Sequence, residues 1–321
     1  MRYRDQNWPQ LKPLRKAGKL RRRISVLPTL CTLGNLLCGF AAITYIAQSQ
    51  PIKSPLGNQF AIAGYLVFAA MVFDMLDGSM ARLTKATSDF GAELDSLADM
   101  VSFGVAPAFL AVTVIHALLA ARSSQGIEPL GPLADNLLAR TLWILGAIYV
   151  ACTALRLARF NAHNRHALDA HMVFRGLPSP GAAGVTAASV IFYETIQQSA
   201  PHLLPFNLSP GFVQATTTAF PYAMAAVLAA AALLMVSRIS YGHVINQYLR
   251  GRRPFSYVVQ VVVLLLLALW QPQLTALLAI YFYAFMPPLR AAWRRFVRGQ
   301  PANPQTITPA PAEPRESIIN S

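Results

Sequence analysis

Apolar runs of about the ~20 residues a helix needs to cross a ~30 Å hydrocarbon core recur along this chain. They fall at roughly 27–47, 58–83, 98–120, 139–158, 180–199 and 218–237. A shorter pair follows at about 255–270 and 273–288, separated by Gln271 and Pro272. The pattern predicts an all-α integral membrane protein of eight crossings, the last two a tight helical hairpin, or of six if that pair does not span. Residues 121–136 and 200–217, with Gly, Pro and few charges, read as loops, and 299–321, with Pro301, Pro304, Pro309, Pro311 and Pro314, as a disordered tail. The expected organisation is a basic interfacial segment over 1–26, a membrane core over 27–241, the hairpin with its basic flanks over 242–298, and the tail.

Composition agrees. Of 321 residues, 55% are hydrophobic and 12% charged, about half the charged fraction of a soluble chain. That apolar content excludes intrinsic disorder, and three cysteines exclude a disulfide scaffold. Cys31, Cys38 and Cys152 read as small buried hydrophobes. The net charge of +14 is unevenly distributed: with the N-terminus in the cytoplasm, 24 of the 27 Lys and Arg fall on that side. Only Lys53, Arg122 and Arg140 lie opposite, an asymmetry that predicts the topology. The basic face then lies along anionic headgroups, and nucleic acid is not needed to account for it. Trp8, Leu11 and Leu14 among the first basic residues point to a segment lying in the interface, and that stretch lacks the form of a cleaved signal peptide.

The acidic residues carry the chemistry. Six of the thirteen, Asp74, Asp77, Asp89, Glu93, Asp95 and Asp99, fall within 26 positions at the ends of two apolar runs. An ionised carboxylate inside a bundle costs several kcal/mol unless it is paired or binds a cation. Asp74 and Asp77 stand at i, i+3 and Asp95 and Asp99 at i, i+4, so each pair shares a helix face. A turn over 85–90 lets the two faces oppose. Four hard oxygen donors without His or thiolate select Mg²⁺ or Mn²⁺. Asp89 and Glu93 fall off that face and read as solvated. Gly78 and Gly91 expose backbone beside the acids, Ala81 is small, and Arg82 can fork onto a phosphate. His163, His166 and His171 read as loop residues, and His116, His202 and His243 suggest no site.

Together these residues spell D-x2-D-G-x2-A-R-x8-G-x3-D-x3-D from Asp74 to Asp99. This resembles the signature of the CDP-alcohol phosphatidyltransferase family at all eight fixed positions. The resemblance implies a six-helix membrane core, usually a homodimer, with two metal ions held by the four aspartates. It also implies a CDP-linked lipid donor, CDP-diacylglycerol, and an alcohol acceptor that displaces CMP. Residues 27–40, 95–108, 154–162, 176–184 and 235–241 are similar to the membrane-embedded, serine-using branch, which implies L-serine as acceptor and phosphatidylserine as product. Pro28-Thr29 departs from the Pro-Asn of many members. The likeness covers about 24–241 and leaves out the hairpin and tail.

On this resemblance Asp99 is also the general base. Gly78 and Arg82 approach the cytidine diphosphate, with Thr32, Asn35 and Thr87 as further polar groups for it. Arg156 and Arg159, at i, i+3 and followed by Asn161, either hold the acceptor's carboxylate or snorkel to headgroups. Ser102 and Asn161 are candidates for its amine or hydroxyl. The alternatives are the same chemistry on glycerol 3-phosphate or inositol phosphate, for which Arg165 and Arg175 would add charge, and a divalent-cation transporter. The acids cluster at one interface with no second acidic group along an exit path, which disfavours transport.

Overall fold

A computed structural model describes residues 26–48, 58–84, 89–122, 130–164, 176–198, 209–239, 241, 262 and 265–298. Among these there is no strand. The helices are α1 (Val26–Gln48), α2 (Asn58–Thr84), α3 (Asp89–Asp99), α4 (Ala106–Ala120), α5 (Leu137–Asn164), α6 (Ser179–Gln198), α7 (Pro210–Val236) and α8 (Pro272–Arg298). A π-helical turn, Met100–Val105, joins α3 to α4 without a break. The N-terminal basic segment to residue 25, the tail, Lys85, Thr87, Arg165, His166, His171 and Arg175 lie outside the described residues.

Six of these segments are long and apolar enough to cross a membrane: α1, α2, α3 with α4, α5, α7 and α8. The chain is a multi-pass membrane protein. α6, 20 residues long, is the exception in composition and the centre in packing. Every residue from Gly181 to Ile191 is buried, with α2, α7 and α8 packed around it. A helix screened from lipid by protein does not need apolar side chains on all sides, and its Ala, Gly, Ser and Thr let neighbouring backbones approach.

Two boundaries differ from the sequence reading. The loop expected over 200–217 ends by Ser209, because Ser209 caps α7 through the Phe212 amide and Pro210 occupies the first turn. Thr216, Thr217 and Thr218 then return their hydroxyls to carbonyls of the preceding turn, which keeps this polar stretch helical. In the C-terminal pair, the break between residues 265–270 and α8 is Gln271 alone. Its amide donates to Leu267 and its carbonyl accepts from Thr275, while Pro272 begins α8. Most of the first arm of the expected hairpin lies outside the described residues. The three cysteines are free and only partly buried.

Three of the prolines inside the helices, Pro107, Pro221 and Pro288, share one arrangement. A proline has no N–H, so the carbonyl four residues earlier loses its donor. Each of three such carbonyls is taken by a side chain from another helix or segment. Pro107 frees the Phe103 carbonyl, which accepts from Tyr149 Oη at 3.3 Å. Pro221 frees that of Thr217, which accepts from Arg122. Pro288 frees that of Ala284, which accepts from Tyr241 Oη at 2.9 Å. The vacancies thereby become links of α4 to α5, α4 to α7, and α8 to the segment after α7.

Candidate active site and metal centre

Three helix faces converge on the acids. On α1, Thr32, Asn35, Gly39, Ala42 and Ile46 form one buried stripe. On α2, Phe60, Ala63, Val67 and Ala70 form another, which Asp74 and Asp77 continue, so the packing that buries the apolar residues carries the carboxylates inward. Asp95 and Asp99 project from α3. One carboxylate oxygen each from Asp74, Asp95 and Asp99 lies within 4.8 Å of the others. Asp77 is 6% exposed, and Thr32 Oγ1 stands 3.0 Å from its Oδ2 and 3.0 Å from the Pro28 carbonyl, serving one at a time. Asn35, fully buried, donates from Nδ2 to Asp99 Oδ1 at 3.1 Å.

This arrangement fits a divalent cation. Each ionised pair at such separations repels by roughly 3 kcal/mol at an effective dielectric constant of ~20. No Lys or Arg among the described residues forms an ion pair with any of the four aspartates. Asp95 Oδ1 and Asn35 Oδ1 are buried without a hydrogen-bond partner. Hard oxygen donors gathered this closely and partly unsatisfied are the donor set of Mg²⁺-like ions.

The π turn follows Asp99 directly. Ser102 Oγ donates to the Asn35 carbonyl at 2.8 Å, and Ser102 packs on Gly39. A Cβ at Gly39 would meet Ser102 Oγ and lie 2.8 Å from its Cα. Ser102, a candidate for the acceptor, is thus fully buried and holds α1 against the turn that carries Asp99. Thr32 and Asn35, candidates for the nucleotide, have their side chains on the carboxylates.

On the other side stands Arg156 of α5. Its Nη1 donates to Ser179 Oγ at 2.7 Å, and its charge acts on Asp99 and Asp74. Ser179 opens α6 and is fully buried. The approach to it depends on Gly176, whose φ of +89° an L side chain rarely adopts. A Cβ there would collide with the Met235 carbonyl, and the Gly176 amide donates to Ile239 at 2.7 Å. Arg159 is placed differently from Arg156. Its Nη2 donates to the carbonyl of Val236, the last residue of α7, where a cation meets the negative end of the helix dipole. Asn161 Nδ2 donates to Ser96 Oγ at 2.9 Å and ties α5 to α3. Gly78 is half-buried in α2 beside Asp77, and Glu93 is exposed as expected. The side chains of Arg82 and Asp89 lie outside what is described, as does Thr87.

Ser179 and the π turn escaped the reading by pattern. Ser179 lies within residues 176–184, GLPSPGAAG, but its role rests on a contact with a residue 23 positions away.

A tight group of helix-borne carboxylates thus stands at the ends of α2 and α3, beside a half-buried arginine. Residues 25–209 match the CDP-alcohol phosphatidyltransferase family, and the chain belongs to it. Similar proteins named CDP-diacylglycerol–serine O-phosphatidyltransferase occur in Mycobacterium tuberculosis, Methanocaldococcus jannaschii and Bacillus subtilis. They are 34%, 35% and 34% identical over 173, 162 and 157 residues, or 52%, 50% and 49% of this chain. The matched parts are 50%, 59% and 71% of those proteins, so this chain spans about half the length of the mycobacterial relative.

Proposed function

We propose that the protein transfers the phosphatidyl group of CDP-diacylglycerol to L-serine, giving phosphatidylserine and CMP. The observation that carries this reading is the set of Asp74, Asp95 and Asp99 oxygens within 4.8 Å of one another. The names of the relatives support the choice of serine. In this reading Mg²⁺ or Mn²⁺, as two ions, would be held by Asp74, Asp77, Asp95 and Asp99, supplying positive charge against that developing on the diphosphate oxygens.

The chain's own residues do the rest. Asn35 holds Asp99 Oδ1, which fixes the carboxylate plane and leaves Oδ2 to take the proton of the serine hydroxyl. The serine oxygen bonds to the β-phosphorus as the bond from that phosphorus to the CMP oxygen breaks, and CMP leaves. Gly78 lets the diphosphate approach the α2 backbone, with Arg82 and Thr87 toward its anionic oxygens. Arg156, held by Ser179, binds the serine carboxylate, whereas Arg159, Asn161 and Ser102 position helices. The N-terminus and the site face the cytoplasm, where the basic residues gather and both serine and nucleotide are soluble, while the acyl chains stay in lipid. The working unit is a homodimer.

The test is CMP release by the purified chain with CDP-diacylglycerol and serine, glycerol 3-phosphate or inositol phosphate, each with Mg²⁺, Mn²⁺ or EDTA. Serine-dependent release abolished by EDTA is expected. Release with another alcohol but not serine refutes the acceptor, and activity surviving EDTA refutes the metal centre.

A further inference from the structure

The side chain of Asn35 is fully buried, and its two ends fare differently. Nδ2 donates to Asp99 Oδ1 at 3.1 Å, whereas Oδ1 has no hydrogen-bond partner among the described residues. Chemistry decides which end is which, because an ionised carboxylate only accepts and so draws the nitrogen. The main-chain carbonyl of the same residue is already served by Ser102 Oγ at 2.8 Å. An amide oxygen left bare in so buried a place calls for a donor from outside the chain.

The kind of donor follows from distance. A primary amide is rigid, so with Nδ2 3.1 Å from Asp99 Oδ1 the bare oxygen stands about 4–5 Å from that same carboxylate oxygen. Neighbouring oxygens on a Mg²⁺-sized ion are ~3 Å apart, closer than this. Two acceptors on one ammonium are ~4.7 Å apart, since its N–H groups point to the corners of a tetrahedron and each bond is about 2.9 Å long. Asp95 Oδ1, also bare, lies on a residue of the three-carboxylate group and belongs with the metal donors. Charge gives the same answer. A neutral amide oxygen beside the acids accepts from a cation without adding negative charge, and a bond from a cationic donor is roughly twice as strong as one from a neutral hydroxyl.

We propose that Asn35 Oδ1, together with Asp99 Oδ1, binds the ammonium of an amino-acid acceptor, so that one side chain both steadies the base and selects an amine-bearing alcohol. The proposal deepens the reading of serine as acceptor and rests on it. In serine the amine and the hydroxyl sit on adjacent carbons, so an ammonium bridging Asn35 and Asp99 Oδ1 brings the hydroxyl to Asp99 Oδ2, where its proton leaves. Glycerol 3-phosphate and inositol phosphate offer the same amide oxygen only a neutral hydroxyl, which makes the weaker bond.

The experiment compares full-length wild type, Asn35→Ala and Asn35→Asp in lipid nanodiscs at saturating Mg²⁺. CMP release is measured with serine and with 3-hydroxypropionate, which is serine without its amine. A hydrogen bond to a charged group corresponds to a factor of about ten or more in affinity. Wild type is expected to favour serine in kcat/KM by at least that factor. Asn35→Ala should raise the KM for serine about tenfold, leave that for CDP-diacylglycerol in place, and use the two acceptors alike. Its kcat falls on both, because Asp99 loses its Nδ2 donor, and this common loss cancels in the ratio. Asn35→Asp, of nearly the same shape, keeps an oxygen for the ammonium but not the nitrogen, so it should be slower on both acceptors and still favour serine. Wild type indifferent to the amine, a serine preference that survives in Asn35→Ala, or its loss in Asn35→Asp overturns the ammonium subsite alone. Equal losses on both acceptors in Asn35→Ala do the same, being what a metal ligand or a mere prop for Asp99 would give. Wild type that releases no CMP with serine overturns the acceptor assignment and this subsite with it.

Discussion

Replacing Tyr241 by Phe removes one oxygen and tests the account of the helix-interior prolines. The Ala284 carbonyl, in a fully buried residue, has no helical donor because residue 288 is proline, and it accepts from Tyr241 Oη at 2.9 Å. Without that donor a buried acceptor goes unsatisfied, at a cost of about 1–3 kcal/mol. The ring remains, so packing on Tyr283 is retained. Pro288→Ala should cancel the loss, because it restores the N–H four residues on and the helix closes its own bond. In the Pro288→Ala background, Tyr241→Phe should then cost no more than a few tenths of a kcal/mol, a coupling of ~1–2 kcal/mol. The four proteins would be compared by thermal unfolding in one detergent. Burial, and then Tyr283, push the Tyr241 phenol up to about 12, so it remains a donor at neutral pH. Its contribution is complete below the unfolded value of ~10 and lost as pH rises from there through the folded value. Additive effects in the cycle, or a difference between wild type and Tyr241→Phe that already shrinks between pH 7 and 9, would refute the reasoning.

Other outcomes follow from the site. Asp95→Asn and Asp99→Asn should each lower CMP release by at least about 100-fold, and the rise in Tm expected for wild type on adding Mg²⁺ should be lost. A variant with near-normal turnover would dissociate that carboxylate from the chemistry. Gly39→Ala places a methyl group 2.8 Å from Ser102 Cα, about 0.6 Å inside ordinary contact, so α1 must part from the π turn. Overpacking of this kind costs about 1–3 kcal/mol, and displacing Asn35 from Asp99 should slow turnover by ten- to a hundredfold. Unchanged Tm and kcat would contradict the contact. Arg156→Lys keeps the charge but not the fork, and should raise the KM for serine about tenfold in the CMP assay while sparing that for CDP-diacylglycerol. Gly176→Ala forces an L side chain into positive φ against the Met235 carbonyl, and should lower Tm by several degrees.

What the sequence could reveal of the fold followed from how each feature is encoded. The convergence of Asp74, Asp95 and Asp99 was legible because spacings of three and four residues translate directly into a shared helix face. The spans near 27–47, 58–83, 98–120, 139–158, 218–237 and 273–288 were legible because lipid selects length and apolarity, whereas the run at 180–199 became α6, which falls short of the apolarity of a span. The π turn was not: nothing in MVSFGV distinguishes six wide-wound residues from α-helix, and the wide turn is evident only where Ser102 meets Gly39 and the Asn35 carbonyl. Thr32, Asn35 and Ser102 were recognised as polar groups near the inner mouth, but a hydroxyl or amide signals only that it will bond, never to what. The same limit separated Arg156 from Arg159, one turn apart and alike in type, of which one faces the acids and the other caps α7. The Tyr149, Arg122 and Tyr241 bonds have a legible half, since each proline marks the carbonyl it empties, but the donor arrives from a distant segment.

The burial of α6 has a consequence for biogenesis. Its segment, SPGAAGVTAASVIFYETIQQ, carries Glu194, several threonines and serines and few large hydrophobes, and it falls short of the apolarity that the other long helices show. Partition from the translocon into bilayer is governed by that apolarity, one segment at a time. α6 must therefore enter together with a greasier companion, α7 being the next to emerge from the ribosome, and take its place only as its neighbours close around it. Substitutions that weaken those neighbours should show themselves first as chains with the wrong number of passes, degraded before any catalytic defect could be measured.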